Sequence, residues 1–269
     1  MEAAPFPGGD GAAFVCQHPP MTTTSPTPSP AQLSVPVEGG EMPADLHLPE
    51  SGRGPGIVLY QEIFGVTAYI RRRAEDLATL GYVVLVPHLY WRLGDPVVQE
   101  GAEGLPEAVD LVGRLDWEAA VADAAAALRL LRDRDEVEGP VGVFGFCFGG
   151  GLAFNVAAST SGPAGAAEAL VSYYGSALPT LLALAPQVRC PSLHHFGTAD
   201  TYIPPEVQQS VREAVEQDGR ADVTFCTYEG AGHAFDNPSP MFHHPQASPE
   251  AWETTSRWLS EHLPVQAGR

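Results

Sequence analysis

The chain contains no lysine: all 14 of its basic residues are arginine, set against 33 acidic residues. Without lysine there is no Schiff base, no covalent pyridoxal phosphate and no P-loop lysine, and no cofactor is expected. The formal net charge of −19 sets the surface against the phosphates of nucleic acid and against anionic lipid. A small-molecule substrate is the expected partner, and one well-placed arginine still allows it to be an anion. Cysteine is scarce, at positions 16, 147, 190 and 226. None forms a C-x-x-C pair, which removes a zinc knuckle and a thioredoxin motif. There is also no H-E-x-x-H, so no metal is expected. No apolar run approaches the roughly 20 residues of a membrane helix. The first 52 residues hold no Arg or Lys, hence no charged start to an export signal. A cytoplasmic protein with reduced thiols, monomer or homodimer, is expected.

The 269 residues suit one α/β domain with a large core. Residues 1–40 read as a flexible extension, Pro-, Thr- and Ser-rich over 21–30, and Met21 is a possible alternative start. Residues 41–269 form the domain. Gly56–Tyr60, Tyr82–Val86, Val141–Phe146, Ala169–Tyr174, Ser192–Phe196 and Val223–Tyr228 are short apolar, β-branched runs expected to be strands. Helices are expected over 68–80, 117–134, from the glycines after 147 to about 158, over 205–217 and over 249–262. Arg71 to Arg73 are placed on the outer face of the first. The segment 88–115 reads as a long irregular loop. Strands alternating with helices predict a mostly parallel sheet with helices on both faces.

Gly145-Phe-Cys-Phe-Gly149 lies between a strand and a helix. It matches the nucleophile elbow of α/β-hydrolases with cysteine in place of serine. Glycines on both sides permit a sharp turn, and the helix N-terminus behind Cys147 favours a thiolate. Asp200 follows the strand ending at Phe196, and His233 follows the strand ending at Tyr228. Each alone is equally a loop residue, but Cys147, Asp200, His233 is the nucleophile–acid–base order of that fold. The oxyanion-hole N–H groups are expected from Phe148 and Ile63.

Tyr60-Gln-Glu-Ile-Phe-Gly65, Pro87-His-Leu-Tyr-Trp-Arg92, Gly145-Phe-Cys-Phe-Gly-Gly150, Tyr173-Tyr-Gly175, Gly197-Thr-Ala-Asp200 and Gly232-His-Ala-Phe235 together resemble the dienelactone hydrolase (carboxymethylenebutenolidase) family, over about residues 40–262. The resemblance implies an α/β-hydrolase fold and an acyl-thioenzyme route. It implies a glutamate, Glu62, that keeps the resting thiol neutral and helps deprotonate it once substrate binds. It implies Arg92 as a grip on a substrate carboxylate. The family's second arginine, four residues after the histidine, is replaced here by Asn237, beside an Asp236 expected to repel an anion. That departure points away from dienelactone itself towards a neutral or differently placed acid, lactone or ester. Tyr90, Trp91, Tyr173 and Tyr174 belong to or flank these motifs and are expected to line the pocket.

The expected function is a cysteine-dependent hydrolase opening a lactone or activated ester. The other class compatible with the residues is a biosynthetic isomerase, cyclase or acyl transferase, or a small-molecule receptor on the same fold.

Overall fold

The computed structural model describes residues 30–160 and 165–266; Cys16 and Met21 lie outside these. The strands are β1 Ala31–Val37, β2 Gly40–His47, β3 Gly54–Tyr60, β4 Val83–Pro87, β5 Val137–Phe146, β6 Leu170–Tyr173, β7 Ser192–Gly197 and β8 Val223–Tyr228. They form one sheet in the order β1-β2-β4-β3-β5-β6-β7-β8. From β4 onward every neighbouring pair is parallel, while β1–β2 and β2–β4 are antiparallel. The helices are α1 Ala68–Thr79, α2 Leu105–Arg114, α3 Trp117–Arg132, α4 Phe148–Ser159, α5 Pro205–Val215 and α6 Ala247–His262. This is the mostly parallel α/β-hydrolase sheet that the alternation predicts.

The strand residues alternate between two cores. Val58, Tyr60, Val83, Leu85, Val141 and Val143 pack with α3, α4 and α5. Ile57, Leu59, Val84, Val86, Phe144 and Phe146 pack with α1 and α6. The period of two along each strand therefore feeds helices on both faces. Such double burial explains why the central strands read as unbroken apolar runs.

Three elements depart from the sequence reading: β1, β2 and α2. Residues 31–37, assigned to the flexible extension, form β1, which pairs residue by residue with β2 through a turn at Gly39, φ +82°. Pro36 and Pro43 break the strand signal, since proline donates no ladder hydrogen bond. Within the supposed irregular segment 88–115, α2 folds onto Phe64, Tyr90 and Val98 as a third small core. The Val98 N–H donates to the Phe64 carbonyl at 2.9 Å. No helix among the described residues is long and apolar enough to cross a membrane.

A buried charge hub ties this outer layer to the sheet. Asp45 on β2 accepts hydrogen bonds from Gln32 and from the Arg71 Nε at 3.0 Å, and the His88 Nε2 lies 3.3 Å from it at ion-pair distance. His88 Nδ1 meets Asp95 at 2.6 Å. Burial works against a charged His88, but the two carboxylates override it and raise its pKa to about 9. A raised pKa contributes stability in full below the unfolded histidine value, and that contribution is lost as pH rises through the folded value. Thermal melts of wild type and His88→Gln therefore differ most below about pH 6.5, and the difference closes as pH passes about 9. A pH-independent gap would assign His88 a packing role only.

Candidate active site

The parallel strands deliver the chemistry-bearing residues to their carboxyl ends, where a crevice forms in sheets of this class. β5 ends at Phe146 and α4 begins at Phe148, so Cys147 is the whole turn. Its backbone sits at φ 52°, ψ −115°, a sparsely populated conformation of the kind that clusters at functional sites. Backbone hydrogen bonds over-determine it, among them a contact from the Gly151 N–H to the Cys147 carbonyl at 3.3 Å. Cys147 N–H donates to the Tyr173 carbonyl at 3.0 Å, and the Cys147 carbonyl accepts from Gly150 and Ser176 at 3.0 Å each. The glycines are obligatory because backbones touch: a Cβ on Gly145 would lie 2.0 Å from the Gly149 carbonyl oxygen, and one on Gly149 would lie 2.4 Å from that of Tyr60. Phe148 is the first residue of α4, so its N–H has no partner inside the helix.

His233 Nε2 lies 3.2 Å from the Cys147 sulfur, and its Nδ1 lies 2.8 Å from Asp200 Oδ2. The other Asp200 oxygen accepts the Tyr202 and Ile203 N–H groups at 2.8 and 2.9 Å. The Asp200 and His233 loops are stitched together where Ala199 N–H donates to the Ala231 carbonyl at 2.9 Å. Gly197 makes room for this, since its Cβ would fall 2.1 Å from that same oxygen. The imidazole packs against the rings of Tyr174 and Tyr202, with centroids at 5.3 and 5.2 Å. Burial disfavours the charged ring, yet the Cys147 sulfur and Asp200 together lift the His233 pKa to about 10.

Glu62, just past β3, is 1% exposed. Burial pushes its carboxyl up to about 8, against the pull of the Asn237 hydrogen bond and with the push of Glu100. Asn237 Nδ2 donates to Glu62 Oε2 at 2.7 Å, and the Tyr174 hydroxyl donates to Oε1 at 3.4 Å. The resemblance implies a glutamate that meets the thiol. In this structure the Cys147 sulfur meets His233, and Glu62 is turned to Asn237 and Tyr174. The neighbouring Ile63 loop is pinned from three sides. The Tyr90 hydroxyl donates to the Ile63 carbonyl at 2.8 Å. Gly65, at φ +89°, lets the chain pass the Pro96 carbonyl, 2.8 Å from where its Cβ would be. Thr67 caps α1 through the Ile70 N–H and also donates to Glu100 at 2.8 Å.

The expected substrate contacts are placed differently. Arg92 does not reach for a substrate carboxylate: its Nε and Nη2 hold Asp123 at 3.0 and 2.9 Å, Nη2 also meets the Glu38 carbonyl, and the guanidinium lies over the Trp91 ring. Trp91 donates to the same Asp123 at 2.8 Å, so this pair fastens α3 to the β1–β2 turn. Tyr173 is fully buried and its hydroxyl meets Thr255 at 2.7 Å; the next residue, Tyr174, is the one that faces His233. Tyr90 is buried and orients the Ile63 loop. Asn237 is spent on carboxylates. Asp236 is no free negative charge, because Arg73 pairs with both its oxygens at 2.8 and 2.5 Å and the Tyr69 hydroxyl donates at 2.6 Å. Arg73 thus points inward, contrary to its expected outer place on α1. The periodicity of α1 gave no warning, since a buried arginine is legible only once its acid is known.

The model of the dienelactone hydrolase family matches residues 42–263. The chain belongs to that family and is a hydrolase of it. Carboxymethylenebutenolidase of Pseudomonas sp. strain P51 is 36% identical over 227 residues, covering 84% of this chain and 90% of that protein. Carboxymethylenebutenolidase of Pseudomonas putida is 36% identical over 189 residues, covering 70% and 77%. A crystal structure from Klebsiella pneumoniae, named for the dienelactone hydrolases, superposes with a TM-score of 0.74 at 27% identity, covering 86% of this chain and 98% of that one.

The placement of Tyr173 yields a direct check. Tyr173→Phe removes one buried hydrogen bond while His195 Nε2 still serves Thr255 at 3.0 Å. The expected loss is about 1 kcal/mol, or roughly 2–4 °C in Tm, with KM unchanged for any substrate. A raised KM at unchanged Tm would return Tyr173 to the pocket wall.

Proposed function

We propose that the protein opens a lactone or activated ester through a thioester on Cys147. The observation that carries this reading is the array of sulfur, imidazole and carboxylate, at 3.2 and 2.8 Å, on a backbone turn that tolerates no side chain at Gly145 or Gly149. In the proposed cycle Cys147 Sγ attacks the acyl carbon, and His233 Nε2 holds the proton the thiol gives up. The carbonyl oxygen gains charge and is met by the N–H groups of Phe148 and Ile63. Collapse forms the thioester and breaks the acyl carbon–oxygen bond, and His233 returns the proton to the departing oxygen. Water, deprotonated by His233, then attacks the thioester and releases the acid and the thiol. Asp200 fixes the imidazole and stabilises its cationic form. Glu62, held off the sulfur, acts on this pair through its charge: ionised it favours imidazolium, protonated it spares the oxyanion a negative neighbour.

The chemistry favours good leaving groups. An enol-lactone releases a stabilised enolate, whereas an amide releases a poor leaving group. The relatives named carboxymethylenebutenolidase support an enol-lactone. Cys147→Ala is expected to lose at least about a thousandfold in kcat/KM while keeping its Tm within a few degrees. Turnover in isotopically labelled water is expected to place one labelled oxygen in the product acid. Retained activity in the variant would remove Cys147 as nucleophile. An unlabelled product would replace the hydrolase by a transferase or an isomerase.

A further inference from the structure

This inference rests on the role given to Glu62 above and concerns what fixes the protonation of that carboxyl. Glu62, Tyr174, Tyr69 and Asp236 are all buried and form one hydrogen-bonded line. The Tyr174 hydroxyl lies 3.4 Å from Glu62 Oε1 and 3.3 Å from the Tyr69 hydroxyl. Tyr69, on the first turn of α1, donates to Asp236 Oδ2 at 2.6 Å. A phenol has a single hydrogen. Tyr69 has spent its own on the carboxyl group that Arg73 also pairs with, and a bond to an ionised acceptor is the stronger kind. Between the two tyrosines, therefore, Tyr174 is the donor and Tyr69 the acceptor.

Tyr174 is left with one hydrogen and two acceptors. Given to Glu62, that hydrogen stabilises the ionised carboxylate. Given to Tyr69, it leaves Glu62 with the Asn237 amide as its side-chain donor among the described hydrogen bonds. A protonated Glu62 can then donate to the Tyr174 oxygen, and every hydrogen in the line points towards Asp236. Bonds aligned in one direction polarise and strengthen one another. The charges facing Glu62 are Glu100 from the segment between β4 and α2, and His233 and Asp236 from the loop after β8. Those facing the two tyrosines are Arg73 of α1, Asp236, Glu62 and Cys147. Among the described hydrogen bonds the Tyr174 hydroxyl meets Glu62 and Tyr69 alone, so these two compete for it.

We propose that Tyr69 is a positioning residue of this site: with its own hydrogen fixed on Asp236, it draws the Tyr174 hydroxyl away from Glu62 and holds that carboxyl in its protonated form. The test follows the Glu62 carboxyl against pH by NMR, in protein carrying isotopic carbon at its glutamate carboxyls. The signal is assigned by its loss in Glu62→Gln. Tyr69→Phe keeps the ring that packs on Phe146 with centroids 5.3 Å apart and removes the competing acceptor. Glu62 is then expected to titrate lower than in wild type by at least about 0.5 pH units. Tyr174→Phe removes the donor itself, and Glu62 is expected to titrate higher than in wild type. In the Tyr174→Phe background, Tyr69→Phe is expected to move Glu62 by less than half as much. Opposite signs mark competition for one hydrogen, because plain loss of a polar neighbour raises a buried carboxyl in both variants. A rise or no change in Tyr69→Phe would overturn the inference, and so would a fall in Tyr174→Phe. In the pH profile of kcat/KM for an activated ester, the inflection that Glu62→Gln abolishes is expected to follow the carboxyl downward in Tyr69→Phe. An inflection that stays in place would remove Tyr69 from the reaction. Absence of any ester turnover by wild type would bring down the hydrolase reading, while the titration would still decide the hydrogen-bond competition.

Discussion

The elbow at Cys147 is a place where three backbones are pressed together with no side chain between them. β5 enters it, α4 leaves it, and the end of β3 passes within 2.4 Å of where a Gly149 Cβ would be. The left-handed backbone at Cys147 costs free energy, and the sheet and helix supply it through packing on either side. Phe144 and Phe146 fill the α1–α6 face, while Val141, Val143, Leu152 and Phe154 fill the other. The large apolar cores are therefore more than a container. They hold a strained residue in the one position from which its sulfur faces His233.

The same edge of the sheet carries the remaining parts. Asp200 and His233 lie on adjacent loops after β7 and β8, closed against each other at Gly197. Glu62 and Ile63 follow β3, and Tyr90 follows β4. Behind these stands a layer of polar supports: Tyr69, Arg73, Ser248 and Asp236 on one side, Asn237, Thr67 and Glu100 on the other. A buried carboxylate without a partner is costly, and each acid here has hydrogen-bond donors. Supports of this kind hold the side chains they touch in fixed positions.

The fold was legible because its signals are local. Fully buried parallel strands read as unbroken apolar runs, and glycine and proline punctuate their ends, so six of the eight strands were found within a residue or a few. β1 escaped because it is mostly exposed and carries Pro36, and β2 because it carries Pro43 and its buried end holds the polar Asp45 and His47. α2 escaped because it packs on Phe64 and Tyr90, residues far off in sequence. The positions of Cys147, Asp200 and His233 were equally legible, because each sits at a strand end and their order is characteristic. The supports were not. Arg92 carries the right side chain for an anion grip, and only the fold brings Asp123 to it. Tyr173 and Tyr174 are indistinguishable in sequence, and the turn that follows β6, where Tyr174 takes φ 38°, decides which faces the imidazole. Asn237 and Glu100 lie 137 residues apart, and no spacing rule joins them.

The whole account turns on whether Cys147 becomes acylated. Mixing enzyme with an excess of a reactive enol-lactone, quenching in acid within milliseconds and weighing the intact protein reads this directly. The account predicts a mass gain equal to one acyl group, confined by peptide mapping to the segment containing Cys147 and lost within the time of one turnover. Turnover at full rate with an unmodified Cys147 at every quench time would contradict it, and would make the array of sulfur, imidazole and carboxylate a feature of the fold rather than of the chemistry.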